Sequence, residues 1–282
     1  MIAEPFCDVA SLIRPRVSLA VAAGSFFGSF YHGQLFGGSG HAFMAAAGAF
    51  LLCGGCSALN QVQERERDAR MERTRNRPLA SGRMTTARGM VWAALFSLTG
   101  LALFFRAGGW PTLIAGLMVV AVYNGLYTPL KRITPMALLA GGVAGAAPPV
   151  TGWLAAGGGW LDPHILGVAV IFYLWQVPHF WLLAEKHRQD YGKAGFAVLN
   201  IGLTPVFRAR LMAVWVAAYF VGLGCFAGMA GPASMRAIVL PTMLLAGGAA
   251  AWLAAVNRHK PALAAMHLSL PLGLASLLFA TV

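Results

Sequence analysis

Nine nearly uncharged apolar stretches punctuate this chain, at residues 17–37, 42–59, 89–107, 111–129, 136–156, 165–184, 211–230, 236–256 and 262–281. Each is close to the roughly 17–25 residues a helix needs to cross a bilayer core. A helix satisfies all its backbone hydrogen bonds within one segment, so nine such stretches predict an all-α polytopic membrane protein. Gly and Pro within several of them are tolerable in a packed bundle. Composition agrees: 58% of the 282 residues are hydrophobic and 11% are charged, against roughly 25% charged in a soluble domain.

The basic residues are placed asymmetrically. With the N-terminus cytoplasmic, the inner segments are 1–16, 60–88, 130–135, 185–210 and 257–261. They hold 19 of the 21 lysines and arginines, leaving Arg106 and Arg236 outside. That split predicts a cytoplasmic N-terminus and an external C-terminus, as expected for a protein of a bacterial-type inner membrane. The net charge of +12 is thus a topology signal that the anionic inner leaflet reinforces. Nucleic-acid binding is disfavoured, because the charges lie in short loops between spans. Met1 to Arg16 carries Glu4, Pro5 and Asp8 and no apolar core, so no cleavable signal peptide is expected. Cys53 and Cys56, a C-G-G-C inside a span, are expected to serve helix packing rather than redox chemistry. Residues 1–282 read as one membrane-embedded domain with polar loops at 60–88 and 185–210.

Acid is scarce and concentrated. Of nine Asp and Glu residues, Glu64, Glu66, Asp68 and Glu72 lie in the first polar loop, and Glu185 and Asp190 in the second. Asn60, Glu64 and Asp68 are spaced four apart, and on a helix each step of four drifts only about 40°, so they share a face. Two carboxylates and an amide carbonyl are hard oxygen donors suited to Mg²⁺, and eight arginines between Arg65 and Arg88 supply partners for phosphate. Glu66 projects about 160° away from Glu64 and, with Glu72, reads as solvation.

In the second segment, Leu174 to Gly195, the residues Gln176, His179, Lys186 and Asp190 would form one polar stripe on a helix. Gln176 and His179 fall below the interface, where polar groups are expensive unless they face a cavity or partner helix. Pro178 is expected to kink or break the helix. Tyr127 and Lys131 are an i, i+4 pair at the cytoplasmic end of the fourth span. Taken alone, they read as an interfacial anchor.

These motifs together resemble the UbiA-type intramembrane prenyltransferases, the family that includes 4-hydroxybenzoate polyprenyltransferase. The N-x-x-x-[DE]-x-x-x-D pattern at Asn60, Glu64 and Asp68, the following ERTRNRPLASG, and Y-x-x-x-K at Tyr127 and Lys131 carry the wider resemblance. RPRV (Arg14 to Val17), GAAPPVTGW (Gly145 to Trp153), LWQVPHF (Leu174 to Phe180) and DYGKAG (Asp190 to Gly195) resemble its haem-farnesylating branch. The resemblance implies a nine-helix bundle with a central cavity, and transfer of farnesyl from farnesyl diphosphate to haem B, a substrate rather than a cofactor. It implies Mg²⁺ held by Asn60, Glu64, Asp68 and Asp190. Arg73 and Arg77 would bind diphosphate, aided by Lys131 and Lys186, with Tyr127 and Lys131 supporting the leaving group. His179 becomes a candidate haem contact.

Two departures stand out. Glu64 occupies a position where aspartate is usual, and the second motif lacks paired aspartates, leaving Asp190 and Glu185. AVLN at residues 197–200 also replaces a segment that often carries proline. A prenyltransferase acting on a quinone-precursor aromatic, or a polytopic transporter of an anionic lipid or metabolite, would share parts of this pattern. The transporter would work without Mg²⁺.

Overall fold

The computed structural model describes residues 3–37, 40–197, 204–230 and 233–280, and all regular structure among them is helical. A short leading helix α1 (Ala3–Ile13) precedes α2 (Pro15–Phe36), α3 (Ala42–Asp68) and α4 (Thr86–Val120). The last runs through a π-helical turn (Ala121–Tyr127) into α5 (Thr128–Leu130). Then come α6 (Ala137–Ala155), α7 (Pro163–Lys186), α8 (Arg188–Lys193), α9 (Pro205–Ala230), α10 (Ala233–Ala255) and α11 (His259–Ala280).

Among the described residues, seven helices are long and apolar enough to cross a membrane. α2 has the length but not the apolarity, because Ser18, Ser25, Ser29 and His32 dilute it. The longest of the seven, Thr86–Leu130, has 45 residues; straight, it would reach more than twice the roughly 30 Å of a bilayer core. It bends instead. Gly108 and Gly109 leave helical geometry, and Gly109 sits at φ 64°, a conformation that favours glycine. The chain then doubles back: a Cβ on Gly116 would lie 2.8 Å from both Leu101 and Phe104. The stretches at 89–107 and 111–129 are therefore two arms of one hairpin, pinned where Thr112 Oγ1 donates to the Phe104 carbonyl at 2.6 Å.

Packing explains two motifs. In C-G-G-C, Gly54 receives Ile13 at the end of α1 and Gly55 receives Ser97 of α4, while Cys56 lies in a buried cluster with Ala49, Leu52 and Phe104. In GAAPPVTGW, α6 interlocks with α2. A Cβ on Gly28 would fall 1.9 Å from the Pro149 oxygen, and one on Gly152 would fall 1.7 Å from the Ser25 oxygen. Elsewhere Leu182, Val216, Tyr219, Leu223, Ala254 and Met266 knit α7, α9, α10 and α11.

Leu19, Phe43, Leu98, Leu161, Leu245 and Leu268 are exposed. A bundle apolar on its outside as well as its inside is an integral membrane protein.

Some expected boundaries move. Asn60–Asp68 is not loop but the last two turns of α3, whose C-terminal Arg65 and Arg67 suit the negative end of the helix dipole. α7 runs on through Pro178, and the break comes at His187, with φ −114° and ψ 29°. The expected single stripe from Gln176 to Asp190 is cut there. The loop at 185–210 is partly helical, and its residues 198–203, including most of the AVLN segment, lie outside the described residues.

Candidate metal-diphosphate site

The end of α3 turns Asn60, Glu64 and Asp68 inward, where they are only 4%, 4% and 3% exposed, while Arg65 and Glu66 face out. The carboxylates are matched by cations from other elements. Lys131 Nζ, at the end of α5, donates to Glu64 Oε2 at 2.7 Å. Arg77 donates to Asp68 Oδ2 at 2.7 Å, because the chain after α3 folds back under a hydrogen bond from the Thr74 hydroxyl to the Asp68 carbonyl. Asn60 Nδ2 donates to Glu64 Oε2 at 3.2 Å and to Thr128 Oγ1 at 3.1 Å. Glu64 Oε1 is buried and has no hydrogen-bond partner among the described residues.

The π-helical turn positions the opposite wall. π-turns recur at functional sites because the extra residue re-aims neighbouring side chains. Asn124 donates to the Cys56 carbonyl at 3.0 Å and to Gln63 Oε1 at 3.3 Å, fastening the turn to α3. Lys131 Nζ stands 5.1 Å from the centre of the Tyr127 ring and 5.5 Å from that of Phe196. Burial lowers the pKa of the Lys131 ammonium, and the Glu64 charge opposes that shift. Burial likewise lowers that of Arg77, offset by Asp68.

The second polar segment caps the first. Asp190 Oδ1 and Oδ2 accept the backbone N–H groups of Glu72 and Arg73, each at 3.3 Å. In return Arg67 donates to the carbonyls of Ala194 at 3.0 Å and Gly195 at 2.6 Å, and its guanidinium lies 5.2 Å from the Phe196 ring centre. Glu185 pairs with Arg188 and Arg208, tying α7 to α9. The Arg73 and Lys186 side chains are exposed, and among the described residues neither makes an ion pair. His179 is turned elsewhere, toward His267 of α11, with its Nδ1 at 3.1 Å from His267 Nε2.

Among the described residues no group of three or more His, Cys, Asp or Glu is gathered to hold a metal. The donor set is two carboxylates and an amide, and one of the carboxylate oxygens, Glu64 Oε1, has no hydrogen-bond partner among the described residues. These fit a hard cation whose remaining oxygens come from a diphosphate.

A profile of the UbiA prenyltransferase family matches residues 17–279. The chain belongs to this family. It is 48% identical over 216 residues to a protein named protoheme IX farnesyltransferase from Oleidesulfovibrio alaskensis, covering 76% of this chain and 74% of that one. It is 41% identical over 242 residues to one of the same name from Geobacter sulfurreducens, covering 83% and 87%. The fold matches a UbiA homologue from Archaeoglobus fulgidus, whose structure is described as bound to GPP and Mg²⁺. The TM-score is 0.68 at 16% identity, over 97% of this chain and 99% of that one.

In this UbiA-family chain, sequence reasoning missed Thr128, Asn124, Arg67 and His267. The first three act through backbone carbonyls or single hydrogen bonds that no spacing announces. Arg14, part of the RPRV motif, also reaches the site. It is half-buried at φ 51° between α1 and α2, and its charge adds to burial in lowering the pKa values of Lys131 and Arg77.

Proposed function

We propose that this chain transfers the farnesyl group of farnesyl diphosphate to a vinyl group of haem B, giving haem O. The observation that carries the chemistry is a buried, charge-matched cluster at the end of a greasy bundle, from which aromatic rings lead inward. Tyr127 stacks on Phe180 at 6.0 Å, and Phe180 lies 5.8 Å from His179. The relatives' shared name supports haem as acceptor.

A diphosphate settling against Lys131 and Arg77 would displace them from Glu64 and Asp68, leaving those carboxylates to Mg²⁺. Asn60, Glu64 and Asp68 would hold the ion, with Asp190 joining if it leaves the loop amides. Bound Mg²⁺ supplies neutralisation of charge growing on the leaving group. Arg73 and Lys186, exposed and without an ion pair among the described residues, are available to the same oxyanion. As the allylic C–O bond breaks, diphosphate takes the electron pair. The haem vinyl π electrons then form the new bond to farnesyl C1, and water adds to the resulting cation with loss of a proton. Tyr127 and Phe180 present ring faces that stabilise the allylic cation and exclude water from it.

The chain would cross an inner membrane nine times, counting α2 and both arms of the α4 hairpin. As a single domain it would have a cytoplasmic N-terminus and an external C-terminus around a central cavity for the fifteen-carbon tail.

The test incubates purified protein with Mg²⁺, farnesyl diphosphate and haem B and looks for a haem heavier by a farnesyl and a hydroxyl group. A prenylated 4-hydroxybenzoate and no haem product would assign a quinone-precursor acceptor instead. Turnover that survives chelation of Mg²⁺ would overturn the metal's role.

A further inference from the structure

The second imidazole, His267, has no part in the site as described so far. α7 and α11 bring it to His179 from opposite sequence directions. His179 lies seven residues before the cytoplasmic end of α7, and His267 eight after the start of α11. At a rise of about 1.5 Å per residue both sit roughly 10–12 Å along their helices, so they meet at one depth. Polar rings at such a depth are costly unless they serve a ligand or partner.

The pair is also held rigidly. Trp175 stacks on His179 with centroids 4.4 Å apart and planes 13° from parallel. Its Nε1–H donates to the Met266 carbonyl at 2.9 Å, pinning α7 to α11 beside the pair. His179 Nδ1 and His267 Nε2 are 3.1 Å apart, and two neutral imidazoles share one proton across such a contact. That leaves His179 Nε2 and His267 Nδ1 without a hydrogen bond among the described residues. His179 is half-buried and His267 exposed, so the pair has an open side.

Imidazoles that bind metals nearly always donate their other ring N–H to a neighbour, which fixes the tautomer and ring orientation. We propose that His267 is a positioning residue for the acceptor. It accepts the Nδ1–H of His179 and thereby leaves the His179 Nε2 lone pair free to ligate the iron of haem B. This rests on haem being the acceptor. Held by its iron at one end of the run from His179 through Phe180 to Tyr127, the porphyrin would reach toward Lys131 and the diphosphate.

Haem B titrated into the purified protein, without farnesyl diphosphate, tests this by absorption and by resonance Raman of the ferrous form. Wild type should give a histidine-ligated spectrum that His179→Ala abolishes. His267→Ala should weaken haem binding by about 10–100-fold, the usual loss for such outer partners, with farnesyl diphosphate affinity within twofold of wild type. Should that variant fold poorly, His267→Gln, which keeps an acceptor of similar reach, should bind haem with a shifted iron–histidine stretch. Wild-type affinity in His267→Ala, or an unchanged stretch in His267→Gln, overturns the inference while leaving the acceptor assignment standing. Histidine ligation lost in His267→Ala but kept in His179→Ala overturns it too, by making His267 the ligand. A wild-type protein that takes up no haem ends both.

Discussion

Glu64 divides its work between its two oxygens. Oε2 takes Lys131 and Asn60, whereas Oε1 is buried without a hydrogen-bond partner among the described residues. Removing the carboxylate charge should therefore be felt first at Lys131. Burial lowers that ammonium's pKa and Glu64 raises it, so Glu64→Gln should lower it further. The cation is then lost at lower pH, and the alkaline limb of the kcat/KM profile, which reports the free enzyme, should shift to lower pH; an unmoved limb would count against the pair. Asp68→Ala should abolish turnover in a protein that still inserts. It also strands Arg77, 15% exposed at its side chain, and leaving one partner of a buried pair costs about 3–5 kcal/mol. Asp68→Asn should melt closer to wild type yet remain inactive. Asn60, Glu64 and Asp68 could be found from sequence because a period of four on a helix is visible in one dimension. Tyr127 and Lys131 were not separable from an interfacial anchor by spacing, since what gives Lys131 its role is a carboxylate on another helix. Thr128 and Asn124 left no trace, because their hydrogen bonds reach residues far away in sequence.

Helices here are set by length and apolarity, but their joints are set by what they pack against. The hairpin at Gly108–Gly109 could be suspected from two apolar runs with a Gly-Gly between them. The π-helical turn and the break at His187 could not, because Asn124 and Asp190 earn those geometries from distant backbone groups. The α2–α6 interlock is the most exacting joint. Gly152→Ala would place a Cβ against the Ser25 carbonyl, which is backbone and cannot swing aside. It should lower thermal stability in detergent by at least about 1–3 kcal/mol, the range for overpacking. A melting curve that matches wild type would show that the helices can separate freely. Asp190 holds the arginine-rich loop by its amides, so Asp190→Ala should speed tryptic cleavage between Arg70 and Arg83, and farnesyl diphosphate should restore little of the protection. Unchanged cleavage would leave Asp190 to the metal alone.

For the molecule as a whole, one charge asymmetry and one apolar exterior carry the argument. The positive-inside rule would put the end of α3 and the two polar segments beside it on the cytoplasmic side, with nearly all the basic residues. The turn between α6 and α7, with exposed Trp160 and Leu161, would then lie on the other. Cytoplasmic basic loops are retained because moving them across an energised membrane is unfavourable. Substrate would then be drawn from the cytoplasm or inner leaflet, where the arginines between Arg65 and Arg88 attract diphosphate. Cysteines introduced singly at Ser81 and at Leu161 test this, in a background where the exposed Cys7 and Cys225 are replaced by serine. In intact spheroplasts a membrane-impermeant maleimide should label Leu161→Cys and spare Ser81→Cys, and in inverted vesicles the pattern should reverse. Labelling of both cysteines in both preparations would mean that the chain is inserted in both orientations. Labelling of Ser81→Cys alone in spheroplasts would put the diphosphate site on the outer face, where no farnesyl diphosphate from the cytoplasm could reach it.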